Sequence, residues 1–218
     1  MHLAYQLAIL LTMNRVPKRY NLLSKLTVGE VYSWGDLEPL TSTPGRDLKQ
    51  LQEEGYLKKV GPGLYLLPKN SRFGAVPASA EQVVSAFLKT DDFLMLSPNF
   101  YNSLGLGLTQ LKKQTFVYNK KRHGDLKLGN RTYEFKLKAK GYPKNLTKEY
   151  LLVDLVNNLD NVGEEPSKLL RNVADSVQEN QFDNTKLFAL AKQYGHVYTK
   201  KFFAALEHGK QYPVKKVA

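Results

Sequence analysis

One stretch constrains this chain more than any other: Val28 to Pro68, reading VGEVYSWGDLEPLTSTPGRDLKQLQEEGYLKKVGPGLYLLP. It opens with an extended piece, Val31–Trp34, and a short helix is expected around Asp36–Leu40. Thr41 and Ser42 turn the chain into a second helix. Thr43 is placed to cap that helix, its hydroxyl accepting a bond from an N–H of the first turn. Pro44 takes the first helical position, where its missing N–H costs nothing. Leu48 and Leu51 give the helix an apolar side, and Gly55 can adopt the left-handed conformation that ends it. Two β-rich runs follow, Tyr56–Val60 and Leu64–Leu67, and Gly61-Pro62-Gly63 between them signals a hairpin. Helix, turn, helix, hairpin is the order of a winged helix, in which the second helix enters the DNA major groove and the hairpin is the wing.

The charge suits a polyanionic partner without requiring one. There are 32 Lys+Arg against 20 Asp+Glu, a net charge of +12, and such a balance steers association with nucleic acid. It is unevenly spread. Residues 1–70 carry 9 basic and 6 acidic groups, residues 71–145 carry 13 and 5, and residues 146–218 carry 10 and 9. The most basic part therefore follows the helix–turn–helix–hairpin segment. At 218 residues, 42% of them hydrophobic, the chain can hold one large or two small domains with real cores. Cysteine is absent, which removes disulfides and thiolate metal sites and fits a reducing cytoplasm. No apolar run approaches the ~20 residues that span a bilayer. Leu3–Met13 is apolar, but Arg15, Lys18 and Arg19 follow it rather than precede it, unlike a secretory signal. A helix packed on the segment that follows is expected there.

Pro68–Pro77 is polar and reads as a linker. Ser79 with Gln82 is a capping-box pattern that opens a helix carrying Val83, Val84, Phe87 and Leu88, ended by Asp91-Asp92. Short strands are expected at Phe93–Leu96 and Thr115–Tyr118, with a helix at Asn99–Leu104 between them. Gly129-Asn130 is a two-residue hairpin turn between Leu126–Leu128 and Arg131–Lys138. Alternation in the second strand points Tyr133, Phe135 and Leu137 to a core, and Thr132, Glu134, Lys136 and Lys138 to water. From Thr147 the period becomes helical, with four apolar stripes: Leu151/Leu155/Leu159, Leu169/Val173/Val177, Leu187/Ala191/Tyr194 and Phe202/Phe203/Leu206. The expected fold class is α+β. A winged helix-turn-helix domain over 1–70 is followed by an α+β domain over 71–218 with a small antiparallel sheet and a C-terminal helical bundle.

Ser42, Thr43, Arg46, Lys49 and Gln50 are the candidate DNA-reading residues. Arg can bond bidentately to guanine and Gln to adenine, while Lys more often meets phosphate. The same residues also suit a solvated helix face. Asp47, Glu53 and Glu54 share the helix and would repel phosphate, so the reading side should be the one holding Arg46, Lys49 and Gln50. Lys58 and Lys59 on the hairpin could grip the backbone or simply keep an edge strand soluble. A second basic cluster comprises Lys112, Lys113, Lys120, Lys121, Arg122, Lys127, Lys136 and Lys138, interleaved with Tyr118 and Tyr133. Such a surface suits single-stranded nucleic acid, an acidic protein partner, or plain solvation. No catalytic motif is present. His2, His123, His196 and His208 are scattered without metal spacing, Gly209-Lys210 is followed by Gln211 rather than a P-loop hydroxyl, and no GxSxG elbow occurs. A non-enzyme without cofactor or metal is expected.

Taken together, several pieces resemble the antitoxins of the abortive-infection AbiE toxin–antitoxin systems, the AbiEi-like transcriptional regulators. They are Glu54, Gly55, Leu57, Val60, Gly63, Leu64, Tyr65 and Pro68 in the hairpin region, Ser79, Ala80 and Glu81 at the helix entry, Asn102, Leu104, Gly105 and Leu106, and Gly129, Asn130, Arg131 and Phe135. The resemblance spans roughly residues 20–210, and its force lies in the combination, since the hairpin pattern recurs in many winged helices. It implies an N-terminal domain that binds inverted repeats of its operon's promoter and represses it. It also implies a C-terminal domain that neutralises a nucleotidyltransferase-like toxin, and a protein that is not itself an enzyme. The expected partners are operator double-stranded DNA and such a toxin, with no membrane; the protein would be a monomer or weak dimer, with two copies on DNA. An RNA-binding adaptor using the basic middle sheet, a solitary winged-helix regulator and a protein-interaction module are the alternatives. The apolar start, Met1–Met13, departs from the family pattern.

Overall fold

The computed structural model describes residues 18–109, 111–129 and 131–213. The apolar segment Leu3–Met13 and the turn residue Asn130 lie outside the described residues. The chain is α+β and divides into two compact units, one running up to Asp91 with Lys127–Arg131, the other made of Asp92–Leu126 and the residues from Thr132 on.

The first unit begins with helix α1 (Lys18–Leu23), strand β1 (Val31–Ser33) and helix α2 (Trp34–Leu37), continued by a 3₁₀ turn over Glu38–Leu40. The turn of structure expected at Asp36–Leu40 thus starts two residues earlier. Its entry is fixed by the Asp36 carboxylate, which accepts from the Ser33 N–H at 2.8 Å and hydroxyl at 2.6 Å. Helix α3 (Pro44–Glu53) is followed by Gly55 at φ +78°. Strands β2 (Lys58–Gly61) and β3 (Leu64–Leu66) form the expected hairpin, and β1 pairs antiparallel on the other side of β3 to complete a three-stranded sheet. The register of β2 slips between Lys59 and Gly61. Leu22, Leu23, Leu37, Leu48, Leu51, Leu57, Tyr65 and Leu67 close the core of this unit.

Pro68–Pro77 is not an unstructured linker. It folds into a second hairpin, β4 (Lys69–Ser71) with β5 (Gly74–Val76), whose six strand residues are all exposed. Helix α4 (Ala80–Leu88) opens with the expected capping box: Gln82 N–H donates to the Ser79 hydroxyl at 3.1 Å and the Gln82 side chain accepts from the Ser79 N–H at 3.0 Å. Lys89, left-handed at φ 53°, ends that helix, not Asp91-Asp92. Asp91 instead accepts the Ser85 hydroxyl at 2.5 Å. A boundary near residue 70 was expected; α4 packs against β1 and β3, which carries the first unit on to Asp91.

The second unit holds β6 (Leu94–Leu96), a 3₁₀ segment over Pro98–Leu104, β7 (Thr115–Asn119) and most of β8 (Gly124–Leu128) and β9 (Arg131–Leu137), in the sheet order β6-β7-β9-β8. The sheet is mixed: β6 and β7 are antiparallel, whereas β7 and β9 run parallel. Four helices follow, α5 (Lys148–Asn157), α6 (Pro166–Gln178), α7 (Asn184–Tyr194) and α8 (Val197–Glu207). Helix α5 is buried all round from Tyr150 to Val156, so it is the axis on which α7 and α8 pack rather than an amphipathic surface helix. Gly195 joins α7 to α8 where a Cβ would lie 2.4 Å from the Ala191 carbonyl oxygen, so the close approach requires glycine.

Candidate nucleic-acid interface

Helix α3 carries the proposed reading residues, and its polar groups sort into two sets. Gly45, Arg46 and Lys49 are exposed and Gln50 is half-buried, while Asp47, Leu48 and Leu51 are buried. Ser42 is exposed in the turn before it, and Thr43 is half-buried. Thr43 does not cap the helix with its side chain. Its hydroxyl donates to the Asp47 carboxylate at 3.1 Å, and the Thr41 hydroxyl donates to the same oxygen. The hydroxyl proton of Thr43 thus goes to the buried Asp47 carboxylate, in a charge-assisted bond roughly twice as strong as a neutral one.

All three acids of the helix end are thereby accounted for. Asp47 is withdrawn into the turn. Glu54 accepts from Arg19 at 2.8 Å and from the Tyr20 hydroxyl at 2.9 Å, both on α1. That carboxylate holds the Arg19 pKa above its ordinary value; the Tyr20 phenol is raised too, by burial first and then by Glu54. Glu53 remains exposed, 3.9 Å from Lys49 one turn earlier. The start of α3 is left with Ser42 and Arg46 facing water, and Lys49 faces water with Glu53 as its exposed neighbour one turn on.

Trp34 joins this site, and the sequence reading passed over it. Its indole lies 3.8 Å from where a Cβ on Gly45 of α3 would stand, its Cβ lies 3.7 Å from the corresponding point on Gly63, and its backbone N–H donates to the Gly63 carbonyl at 2.7 Å. Trp34, 36% exposed, thus touches the start of α3 with its ring and the β2–β3 turn with its Cβ and backbone. The legible signal was a lone Trp beside two glycines far apart in sequence. Lys58 and Lys59 are both exposed on β2.

The second basic cluster is not brought together as one wet face. Lys136 and Lys138 lie on the side of β9 that faces buried aromatics. The Lys136 ammonium sits 3.7 Å from the Phe116 ring centroid, 3.2 Å from Glu134 and 3.0 Å from the Asn158 amide oxygen; that of Lys138 sits 4.3 Å from the Tyr118 ring centroid. Burial pulls the Lys138 pKa down. Leu137, expected in the core, is instead 52% exposed. The alternation holds, but parallel pairing of β9 with β7 sets Lys136 level with Tyr118 on a covered face. Lys112 donates to the Asn161 carbonyl at 2.7 Å, and Lys120 pairs with Asp92 at 2.8 Å. Lys113, Lys121 and Arg122 are exposed; Lys127 is exposed and falls within Lys127–Arg131, which clusters with the first unit.

Behind Lys138 lies a buried polar network also missed in the sequence. Asp154, at the centre of α5 and fully buried, accepts the Tyr101 hydroxyl at 2.7 Å and the Tyr118 hydroxyl at 2.8 Å. Burial raises the Asp154 carboxyl, while Lys138 and the two phenols oppose that shift. Both phenols are pushed well up, by burial first and the carboxylate second. The signal was a single Asp inside the apolar run Leu151–Val156. Among the described residues no group of three or more His, Cys, Asp or Glu is arranged to hold a metal ion, and no helix is long and apolar enough to cross a membrane.

The structure is similar to the crystal structure of the RV2827C protein from Mycobacterium tuberculosis, with a TM-score of 0.50 and 13% sequence identity over 92% of this chain and 84% of that one. At that identity the likeness concerns the fold alone. No curated protein matches the sequence significantly. Residues 36–179, from α2 through the end of α6, match a family of unknown function, DUF6088, and the chain belongs to that family.

Proposed function

We propose that this protein is a DNA-binding repressor of its own operon and the antitoxin of a nucleotidyltransferase-like toxin, with DNA reading in the first unit and toxin neutralisation in the second. The observation that carries the DNA half is the sorting of charge on α3: Asp47 and Glu54 are engaged by Thr41, Thr43, Arg19 and Tyr20, while Arg46 and Lys49 stay exposed. The order β1, α2, 3₁₀ turn, α3, β2, β3 supports reading this unit as a winged helix. In that reading α3 lies in the major groove, Arg46 and Gln50 read base edges, Ser42 and Thr43 sit at the groove wall, and Lys49, Lys58 and Lys59 meet phosphates. Trp34 sets the wing against the start of α3. The antitoxin half rests on the resemblance of the hairpin and middle segments to the AbiE antitoxins.

The RNA-adaptor reading has less to stand on, because it needs a continuous basic sheet face and Lys136 and Lys138 are drawn onto aromatic rings. The test is Arg46→Ala. Operator affinity should fall by ~1–3 kcal/mol, while co-expressed toxin remains neutralised. Loss of both activities in a folded variant would contradict the division of labour between the units.

A further inference from the structure

The β4–β5 hairpin is built, exposed and basic, and α3 with its wing leaves it without a task. Its turn is held by side-chain and backbone bonds: the Ser71 hydroxyl donates to the Gly74 carbonyl at 3.0 Å and accepts from the Phe73 N–H at 3.2 Å, and Gly74 takes φ +106°. That turn presents Phe73 with 86% of its surface exposed and the Arg72 guanidinium 4.7 Å over its ring. The Phe73 ring is thus held at the tip with its free face accessible to a partner outside the chain. The charge around it names the class. From Gly55 through Ala80, both hairpins carry Lys58, Lys59, Lys69 and Arg72 and not one carboxylate. A stretch whose charged groups are all cations suits a polyanion.

We infer that the β4–β5 hairpin is a second duplex-DNA contact, flanking the sequence read by α3, in which Lys69 and Arg72 meet backbone phosphates and Phe73 packs into the minor groove. Apolar side chains beside Arg or Lys are the usual means of entering that groove, because its floor is read poorly by hydrogen bonds but its sugars and base steps accept an apolar wedge. The contact is sequence-tolerant, since phosphate carries no sequence information. This inference rests on the DNA-binding reading above.

The full chain, with Arg72→Ala, Phe73→Ala, the double variant and Arg46→Ala, is titrated against the duplex upstream of its gene and a scrambled duplex of equal length, at several salt concentrations. Thermal melting of each variant confirms the fold. The double variant should lose affinity roughly tenfold for both duplexes, and Arg72→Ala should lower the salt slope by about one. Arg46→Ala should weaken the upstream duplex selectively. If the double variant binds both duplexes as the unaltered protein does, while Arg46→Ala loses the upstream duplex, the hairpin contact is overturned and the repressor reading stands. If the unaltered protein binds neither duplex, both are overturned.

Discussion

Two buried aspartates show how single residues set this molecule's chemistry. Asp47 would spoil a phosphate-facing helix if it faced water; the hydroxyls of Thr41 and Thr43 turn it inward and pin the turn before α3. Asp154 lies in the apolar axis of the second unit, where an unpaired charge would be untenable, and two phenols make it tolerable. Removing it leaves both buried O–H donors without their acceptor, Tyr118 keeping only the Asn158 amide from which it accepts. Asp154→Ala should therefore destabilise the second unit by about 3 kcal/mol, since each buried donor left unpaired costs ~1–3 kcal/mol, and chemical denaturation of the purified variant checks it. An unchanged midpoint would mean that the hydroxyls find other acceptors.

At the scale of elements, the α7–α8 corner makes two predictions. Gly195→Ala forces a Cβ against the Ala191 carbonyl oxygen that the Gly195 N–H bonds at 2.9 Å, so the corner must open, at a cost of roughly 1–3 kcal/mol, read as a lower melting temperature. His196 next to it sits at the N-terminus of α8; burial, then Lys138, pull its pKa below the ordinary value of 6.5. A depressed folded pKa means that its contribution to stability is present above pH 6.5 and is lost as pH falls through the folded value. His196→Gln should therefore lose less stability on acidification than the unaltered protein, as melting from pH 7.5 to 5 would show; parallel curves would contradict it.

The elements legible in the sequence were those whose signal is local. The α3 start at Pro44, the capping box at Ser79 and Gln82, the β2–β3 hairpin around Gly61-Pro62-Gly63 and the apolar stripes of α5 to α8 all follow from neighbouring residues. What escaped depends on distant partners. Thr43 caps nothing with its side chain; its hydroxyl is turned toward the Asp47 carboxylate instead. Lys136 and Lys138 read as solvated because alternation gives two faces but not which one is covered; the parallel register with β7 decides that. The β4–β5 hairpin escaped because its strands are three residues each, and no apolar alternation marks a strand exposed on both sides.

At the scale of the whole molecule, a net charge of +12 guarantees some attraction to any polyanion, so binding alone proves little. The proposed role is narrower: α3 would read sequence. Phosphate contacts weaken steeply with salt, whereas base contacts retain their discrimination. The measurement that tests this most directly is a gel-shift titration on the DNA immediately upstream of the gene, against scrambled duplex and RNA of equal length, at two salt concentrations. The account predicts tight, duplex-specific binding to the upstream DNA whose preference over the scrambled duplex persists at the higher salt. Equal, salt-sensitive binding to all three polyanions would contradict it, and would mean that charge rather than α3 does the binding.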